Sequence, residues 1–243
     1  MKGAFHKSHS GLWLPRPRPL FVHPNLRTAA QVNDLLGISP THLWIFDETA
    51  SPIVDRAAGT ANLTLIGTTP NRGTPWAKRA LGFTSGSGDA SVAAGVANPA
   101  LASFGFACVL RAVNVGYILS KNSAGAYYRL YLGATGVLQW QISDGIDVVN
   151  LVTGAQPLTY LPIVCGVDRD GENTSYVATP FTSLSASAAA VDSITNATSF
   201  RFGDLAGTLS AGMDLVWAAY FSGAAADRAT LEAAVRILCR GLR

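Results

Sequence analysis

The chain has 243 residues, of which 14% are charged and 49% hydrophobic, with a formal net charge of +3 and a mean hydropathy of +0.25. That length supports one large domain or two small ones with a sizeable core, and the composition excludes a chain disordered throughout. No run approaches the roughly 20 apolar residues of a membrane-spanning helix. The opening MKGAFHKSHSGLWLPRPRP lacks the apolar centre of a secretory signal, so neither a membrane protein nor export by that route is expected.

The charge is unevenly placed. Residues 1–27 carry Lys2, Lys7, Arg16, Arg18 and Arg27 and no acid, giving +5, whereas residues 28–226 sum to −4 and residues 227–243 to +2. Pro15, Pro17 and Pro19 alternate with Arg16 and Arg18, which favours an extended, polyproline-like backbone. Trp13, Leu14, Leu20, Phe21 and Val22 flank this stretch, and a purely solvated linker has no need of them. An arm folded back on its own domain, a disordered tail and a docking arm all fit. The docking arm is preferred, with Trp13, Arg16, Arg18 and Phe21 laid on a neighbouring, acidic subunit. Five cations ahead of an acidic body are few for extended phosphate contact, so nucleic acid is not the expected partner.

Thr28 and Gln31 have capping-box spacing and Gly37 supplies a left-handed stop, which predicts a short helix and linker over 28–40. From 41 to 224 the chain reads as short β-branched or aromatic runs separated by Gly, Asn, Asp and Ser. The predicted strands are His42–Phe46, Leu63–Ile66, Phe104–Val113, Tyr117–Lys121, Tyr127–Leu132, Val137–Ser143, Val148–Thr153, Ile163–Asp168, Ser175–Ala178, Ser199–Phe202 and Leu215–Phe221. Many short strands at regular spacing mean an all-β fold, an antiparallel sandwich or barrel. Residues 183–198 are Ser/Ala-rich and are read as loop. Trp44, Trp140 and Trp217 fall in apolar-patterned strands and are assigned to the core.

The segment 127–143 permits a register argument. Tyr128, Leu130 and Leu132 share one face of the first strand, and Leu138, Trp140 and Ile142 share one face of the second. Both sets reach one core only if Leu132 lies opposite Leu138, because a one-residue slip would pair Leu130 with Gln139. Gly133–Val137 is then the turn, with Gly133 and Gly136 free to take positive φ. The opposite face carries Tyr127, Arg129, Tyr131, Gln139, Gln141 and Ser143. A second hairpin is expected to turn within 168–173, at Asp170-Gly171. Over 225–243, Asp227 is the expected N-cap of a helix whose stripe Leu231, Ala234, Val235, Leu238 and Leu242 packs on the sandwich, a partner-binding helix being the lesser alternative.

The order of motifs resembles a known family. His42-Leu-Trp-Ile-Phe-Asp47 is followed by Val54-Asp55 and a Gly59 turn, then Ala80-Leu-Gly-Phe83, Phe104-Gly-Phe-Ala-Cys-Val-Leu-Arg111, Gly136-Val-Leu-Gln-Trp140 and Leu215-Val-Trp-Ala-Ala-Tyr-Phe221. This series is similar to the concanavalin A-like, laminin-G-like jelly rolls. The resemblance covers about 42–224 and implies two antiparallel sheets, with an N-terminal arm and a C-terminal helix added here. Members include carbohydrate binders, glycosidases, adhesion modules and phage virion proteins.

The chemistry of the family's hydrolases does not carry over. Retaining hydrolysis needs two carboxyls roughly 5–5.5 Å apart, and none of Glu48, Glu172 and Glu232 lies in the alternating strand pattern of those enzymes. Asp144 and Asp147 read as turn formers. His42, the one histidine outside residues 1–27, begins a strand with no nucleophile motif nearby and is assigned a structural role. Asp168 and Asp170 suit calcium in type, but no ligand-dense loop surrounds them. Cys108 and Cys165 sit in apolar runs as small buried hydrophobes, Cys239 lies beside Arg240, and no cysteine pair has zinc spacing. Gly86-Ser-Gly88 lacks the lysine of a phosphate loop. The expectation is a non-enzyme without metal or cofactor.

Two functions fit. The first is a virion structural protein such as a capsid decoration, head-fibre or tail-associated component, assembled in the host cytoplasm as an oligomer or part of a larger particle. Residues 1–27 would anchor it to capsid, portal or tail subunits. A charged fraction of 14%, against about 25–35% for a freely soluble surface, agrees with a surface meant to be covered. The second is a lectin-like module binding a host-surface glycan. Its candidate residues are Tyr127, Arg129, Tyr131, Gln139 and Gln141 on the hairpin face, with Trp76 in the Gly73–Arg79 loop, because aromatic rings stack on sugars and amides satisfy paired hydroxyls.

Overall fold

The computed structural model describes residues 5–7, 13–15, 28–48, 50–70, 80–84, 88–93, 95–112, 114–122, 125–156, 160–203 and 211–239. The first segment contributes β1 (Phe5–Lys7) and β2 (Trp13–Pro15), an antiparallel pair with Lys7 opposite Trp13. This short ladder stands where the prolines suggested only extended backbone. Arg16, Arg18 and Phe21 lie outside the described residues, as do Trp76 and Leu242.

Helix α1 (Ala29–Leu36) begins on the expected reciprocal cap between Thr28 and Gln31 and ends on left-handed Gly37. The body follows with β3 (His42–Ile45), β4 (Thr64–Ile66), β5 (Thr68–Pro70), β6 (Leu81–Phe83), β7 (Asp89–Val92), β8 (Phe104–Ala112), β9 (Gly116–Asn122), β10 (Tyr127–Leu132), β11 (Val137–Ser143) and β12 (Val148–Ala155). It continues through β13 (Leu161–Asp168), β14 (Thr174–Ala178), β15 (Ser183–Ser187), β16 (Phe200–Gly203) and β17 (Met213–Ser222) to helix α2 (Arg228–Cys239). Asp227 caps α2 through its Oδ2, which accepts the Thr230 N–H at 2.7 Å.

The strands of the body form two antiparallel sheets, separate from the β1–β2 pair. The first runs β12-β11-β10-β9-β16-β7-β4, and the second runs β15-β14-β13-β8-β17-β6-β5, with β3 also paired to β17. The fold is therefore an antiparallel jelly-roll sandwich with a C-terminal helix. Its interior is aromatic: Trp44 stacks on Phe200 at 5.9 Å and meets the edge of Phe202, while Phe104, Phe106, Tyr128 and Trp140 adjoin them. The polar atoms of these rings are satisfied inside the core. Trp44 Nε1 donates to the Ala61 carbonyl, Tyr128 to the Ala97 carbonyl and Trp140 Nε1 to Ser175 Oγ, at 2.7, 2.6 and 3.0 Å.

The second sheet is buried on both faces. Its outer side is covered by α1 and α2, where Val32, Leu36, Leu231, Val235 and Leu238 pack on Val109, Val164, Trp217 and Phe221. This explains the unbroken apolar run Leu215–Phe221 of β17. A register shift in β17 between Leu215 and Trp217 changes which residues face in, so Met213 and Leu215 but then Ala218 and Tyr220 enter the sandwich, while Trp217 and Phe221 meet the helices. Gly105 allows the close approach of α2, since a Cβ there would lie 2.5 Å from Leu231 Cδ1 and 2.6 Å from the Tyr176 hydroxyl. Cys108 and Cys165 are buried free thiols, and burial pushes the Cys108 thiol up to about 12.

Several sequence readings are corrected. Residues 183–187 are not loop but β15, paired with β14. Its alternation is short and faint, with only Leu184 and Ala186 packing inward between exposed serines. β5, β6 and β7 were also unread, being three- and four-residue strands. In the β10–β11 turn Gly136 takes positive φ (78°) as expected, but its partner is Thr135 (70°), while Gly133 is extended. In the β13–β14 turn the positive φ falls on Asn173.

Two buried polar groups close the fold. Asp55, 2% exposed, accepts from His42 Nδ1 at 2.8 Å and from the N–H groups of Leu43, Ala57, Ala58 and Ala61. His42 also stacks on Trp44 and Tyr220, which fits its expected structural role. Lys121, fully buried, donates to the carbonyls of Val96 and Thr198, and burial lowers its pKa to about 8. Burial alone would raise the Asp55 carboxyl, but His42 and the backbone donors outweigh it and hold it at about 2. A depressed carboxyl stabilises the fold fully above its unfolded pKa and loses that contribution as pH falls. Asp55→Asn should therefore cost about 2 kcal/mol or more at pH 7. Denaturant titrations should show the gap to wild type shrinking between pH 5 and 2, and a gap constant over that window would disprove the assignment.

Candidate functional site

The open face of the first sheet follows from strand alternation. In β10 and β11, Tyr128, Leu130, Leu132, Leu138, Trp140 and Ile142 are buried and the residues between them are half-exposed, Ser143 excepted. The register is the expected one, Leu132 opposite Leu138 and Leu130 opposite Trp140. Tyr127, Arg129, Tyr131, Gln139 and Gln141 therefore share the outer face. Pairing with β9 and β12 extends it. Tyr117 lies beside Tyr131 and Ser120 beside Arg129, while Asn150 lies beside Gln141 and Val152 beside Gln139.

One polar row crosses the entire sheet. Registers connect Thr64, Ser91, Arg201, Ser120, Arg129, Gln141 and Asn150 in turn, one residue from each strand. Arg201 pairs there with buried Asp89. At the centre, the Arg129 guanidinium carbon lies 4.5 Å from the Tyr127 ring centroid and 5.6 Å from that of Tyr117. Arg129 Nε donates to Gln141 Oε1 at 2.6 Å and Nη1 to the Tyr117 hydroxyl at 3.1 Å. Tyr117 in turn meets the edge of Tyr131 at 5.2 Å. The structure thus brings five of the six glycan candidates together, and the sixth, Trp76, lies outside the described residues. Exposed Val148 and Val152 flank Asn150 on the neighbouring strand.

Tyr117 and Ser120 were missed in the sequence. Their strand was read, but β9 carries a register shift opposite Leu130 and Tyr131, so simple alternation does not set the faces of its two ends. The β9–β10 hairpin pairing was the signal that held Tyr117.

Several carboxylates elsewhere are engaged. Glu48 pairs with Arg56, and Glu172 and Glu232 both pair with Arg228. Asp144 accepts the N–H groups of Ile146, Asp147 and Asp192, which lower its pKa and make it a turn former as expected. Asp168 and Asp170 line a cavity of about 240 Å³ with Ser103 and Asp227. Asp168 accepts from the Gly171 and Arg228 N–H groups and Asp170 from Ser103 Oγ. Among the described residues no group of three or more His, Cys, Asp or Glu side chains is placed to hold a metal ion, and no helix is long and apolar enough to cross a membrane.

The Tyr127–Arg129 stack is a partly exposed cation–π contact. A double-mutant cycle with Tyr127→Ala and Arg129→Ala should give a coupling of roughly 0.5–1 kcal/mol in denaturant unfolding. Strict additivity would remove the contact.

No family model and no curated protein sequence matches the chain. Solved structures do. The binding domain of Paraclostridial mosquitocidal protein 1 superposes with a TM-score of 0.62 at 14% identity, over 83% of this chain and 52% of that one. The receptor binding domain of botulinum neurotoxin D gives 0.57 at 11% identity, over 77% and 50%. Trypanosoma rangeli sialidase in complex with sialic acid gives 0.54 at 14% identity, over 82% and 33%. At these identities the likeness establishes a shared fold. The chain spans about half or less of the length of each. None of the three is a virion protein, so the likeness supports the jelly-roll part of the sequence resemblance and lends the virion part nothing.

Proposed function

We propose that this chain is a non-enzymatic saccharide-binding module and that the outer face of β9–β12 is its binding surface. The observation that carries this reading is the clustering of Tyr117, Tyr127, Arg129, Tyr131, Gln139 and Gln141 on one open sheet face. Tyrosine rings offer apolar faces for the C–H side of a sugar ring, and glutamine amides pair a donor with an acceptor for adjacent hydroxyls. Arg129 covers one face of Tyr127. Among the described residues, α1 and α2 cover the second sheet and no helix covers the outer face of the first. Likeness in fold to structures described as a binding domain and a receptor binding domain agrees with this reading. Glycan-array binding by the intact chain should fall at least tenfold in a Tyr127→Ala/Tyr131→Ala double variant that keeps its unfolding midpoint. Equal binding by the variant would place the site elsewhere.

A second reading keeps the chain as a virion component, with residues 1–27 as the docking arm. Its support is the concentration of +5 in that segment ahead of a body at −4, a distribution suited to an acidic neighbour. Under it, deleting residues 1–26 abolishes incorporation into the particle. Undiminished incorporation of the shortened chain removes the arm from the account, whatever the sheet face binds.

A further inference from the structure

The charge on the open face narrows the ligand. Arg129 is half-buried at the centre of the polar row, and its contacts with described residues are all to neutral groups: Gln141, the Tyr117 hydroxyl, and the Tyr127 and Tyr117 rings. Four other partly buried arginines among the described residues are paired with carboxylates. Arg56 pairs with Asp47 and Glu48, Arg111 with Asp214, Arg201 with Asp89, and Arg228 with Glu172 and Glu232. Arg169 gives its fork to the carbonyls of Ala188 and Asp192 and to Asn173, bracing a loop. Strands β9 to β12 contain no Asp or Glu at all. Their other cation, Lys121, is directed into the protein toward Val96 and Thr198. The nearby Asp144 carboxylate is committed to backbone N–H groups.

A guanidinium has five N–H donors in a fixed fork. Two of those on Arg129 are used by Gln141 and Tyr117, so three remain. The two bonds also fix the orientation of the fork, and the flanking rings shield it from water. Such a group is pre-organised for an anion, and the ordering cost of binding is reduced accordingly.

From this geometry we infer that the ligand of this face is an acidic saccharide, bearing a carboxylate or a sulfate, and that Arg129 binds its anionic group while the tyrosines and glutamines hold the sugar ring. This inference rests on the saccharide-binding reading above and goes further by naming the charge class. Both anions offer the same chemistry to the fork: two or more acceptor oxygens on one centre that take paired N–H donors.

The test uses the full chain on immobilised oligosaccharides in matched sets: a neutral parent, its carboxylate-bearing form, the same form with the carboxyl reduced to an alcohol, and a sulfated form. The acidic forms should bind about ten- to a hundredfold more tightly than the neutral and reduced ones, and raising salt should weaken them. Arg129→Gln should erase that preference, bringing the acidic forms down to the level at which the same variant binds the neutral parent. Arg129→Lys, which keeps charge but loses the fork, should retain only part of it and serves as the readout if the Gln variant does not fold. Preference for the carboxylate form alone, or the sulfated form alone, supports the inference and identifies the anion. Equal binding of neutral and acidic forms, unchanged by either substitution, overturns the acidic ligand and leaves saccharide binding standing. Retention of no saccharide of either charge overturns saccharide binding and the present inference with it.

Discussion

The pairing of β10 with β11 is the constraint on which the rest depends. Because side chains alternate across a strand, placing Leu132 opposite Leu138 assigns every neighbouring residue to one side of the first sheet. Tyr128 and Trp140 then enter the aromatic interior, where their polar atoms meet Ala97 and Ser175. Tyr127, Arg129 and Gln141 are delivered together to the outside by the same step. A shift of one residue would exchange the two sets, burying an arginine and exposing a tryptophan. The core and the candidate site are therefore two results of one register, and neither can vary independently of it.

The other end of the sandwich is organised around a charge. The Asp55 carboxylate gathers His42 and four backbone N–H groups, tying β3 to the segment that follows it. That segment supplies the Ala61 carbonyl for Trp44, whose ring contacts Phe200 and Phe202 from β16. A buried carboxylate is tolerable only because each oxygen has donors. The same arrangement explains how a histidine and an aspartate 2.8 Å apart serve packing: the imidazole lies between Trp44 and Tyr220, held at one nitrogen by Asp55.

Much of this was legible in the amino-acid order. The sandwich, the reciprocal cap at Thr28, the Asp227 cap and the β10–β11 register all follow from local periodicity and capping chemistry, and the structure bears them out. What escaped has a common physical origin. β15 is Ser-Leu-Ser-Ala-Ser, so its inward face offers one large apolar side chain, Leu184, and its period carries little hydrophobic contrast. β17 contains a shift that merges two faces into one apolar run, disguising a strand packed on both sides. The candidate site was legible as far as one hairpin extends. Tyr117, Ser120 and Asn150 lie in the adjacent hairpins, where register shifts blur the faces that alternation would assign, and Arg201 joins through β16, whose pairing with β9 is distant in sequence and not written in either strand alone.

The covering of the second sheet has a consequence for presentation. Both α1, where the body begins, and α2, where it ends, lie on that sheet and touch the same apolar cluster. Whatever precedes residue 28 or follows residue 239 thus joins the body on its helical side, across the sandwich from the polar row. The points at which the described body begins and ends, residues 28 and 239, thus stand behind the polar row, with the whole thickness of the sandwich between them and it.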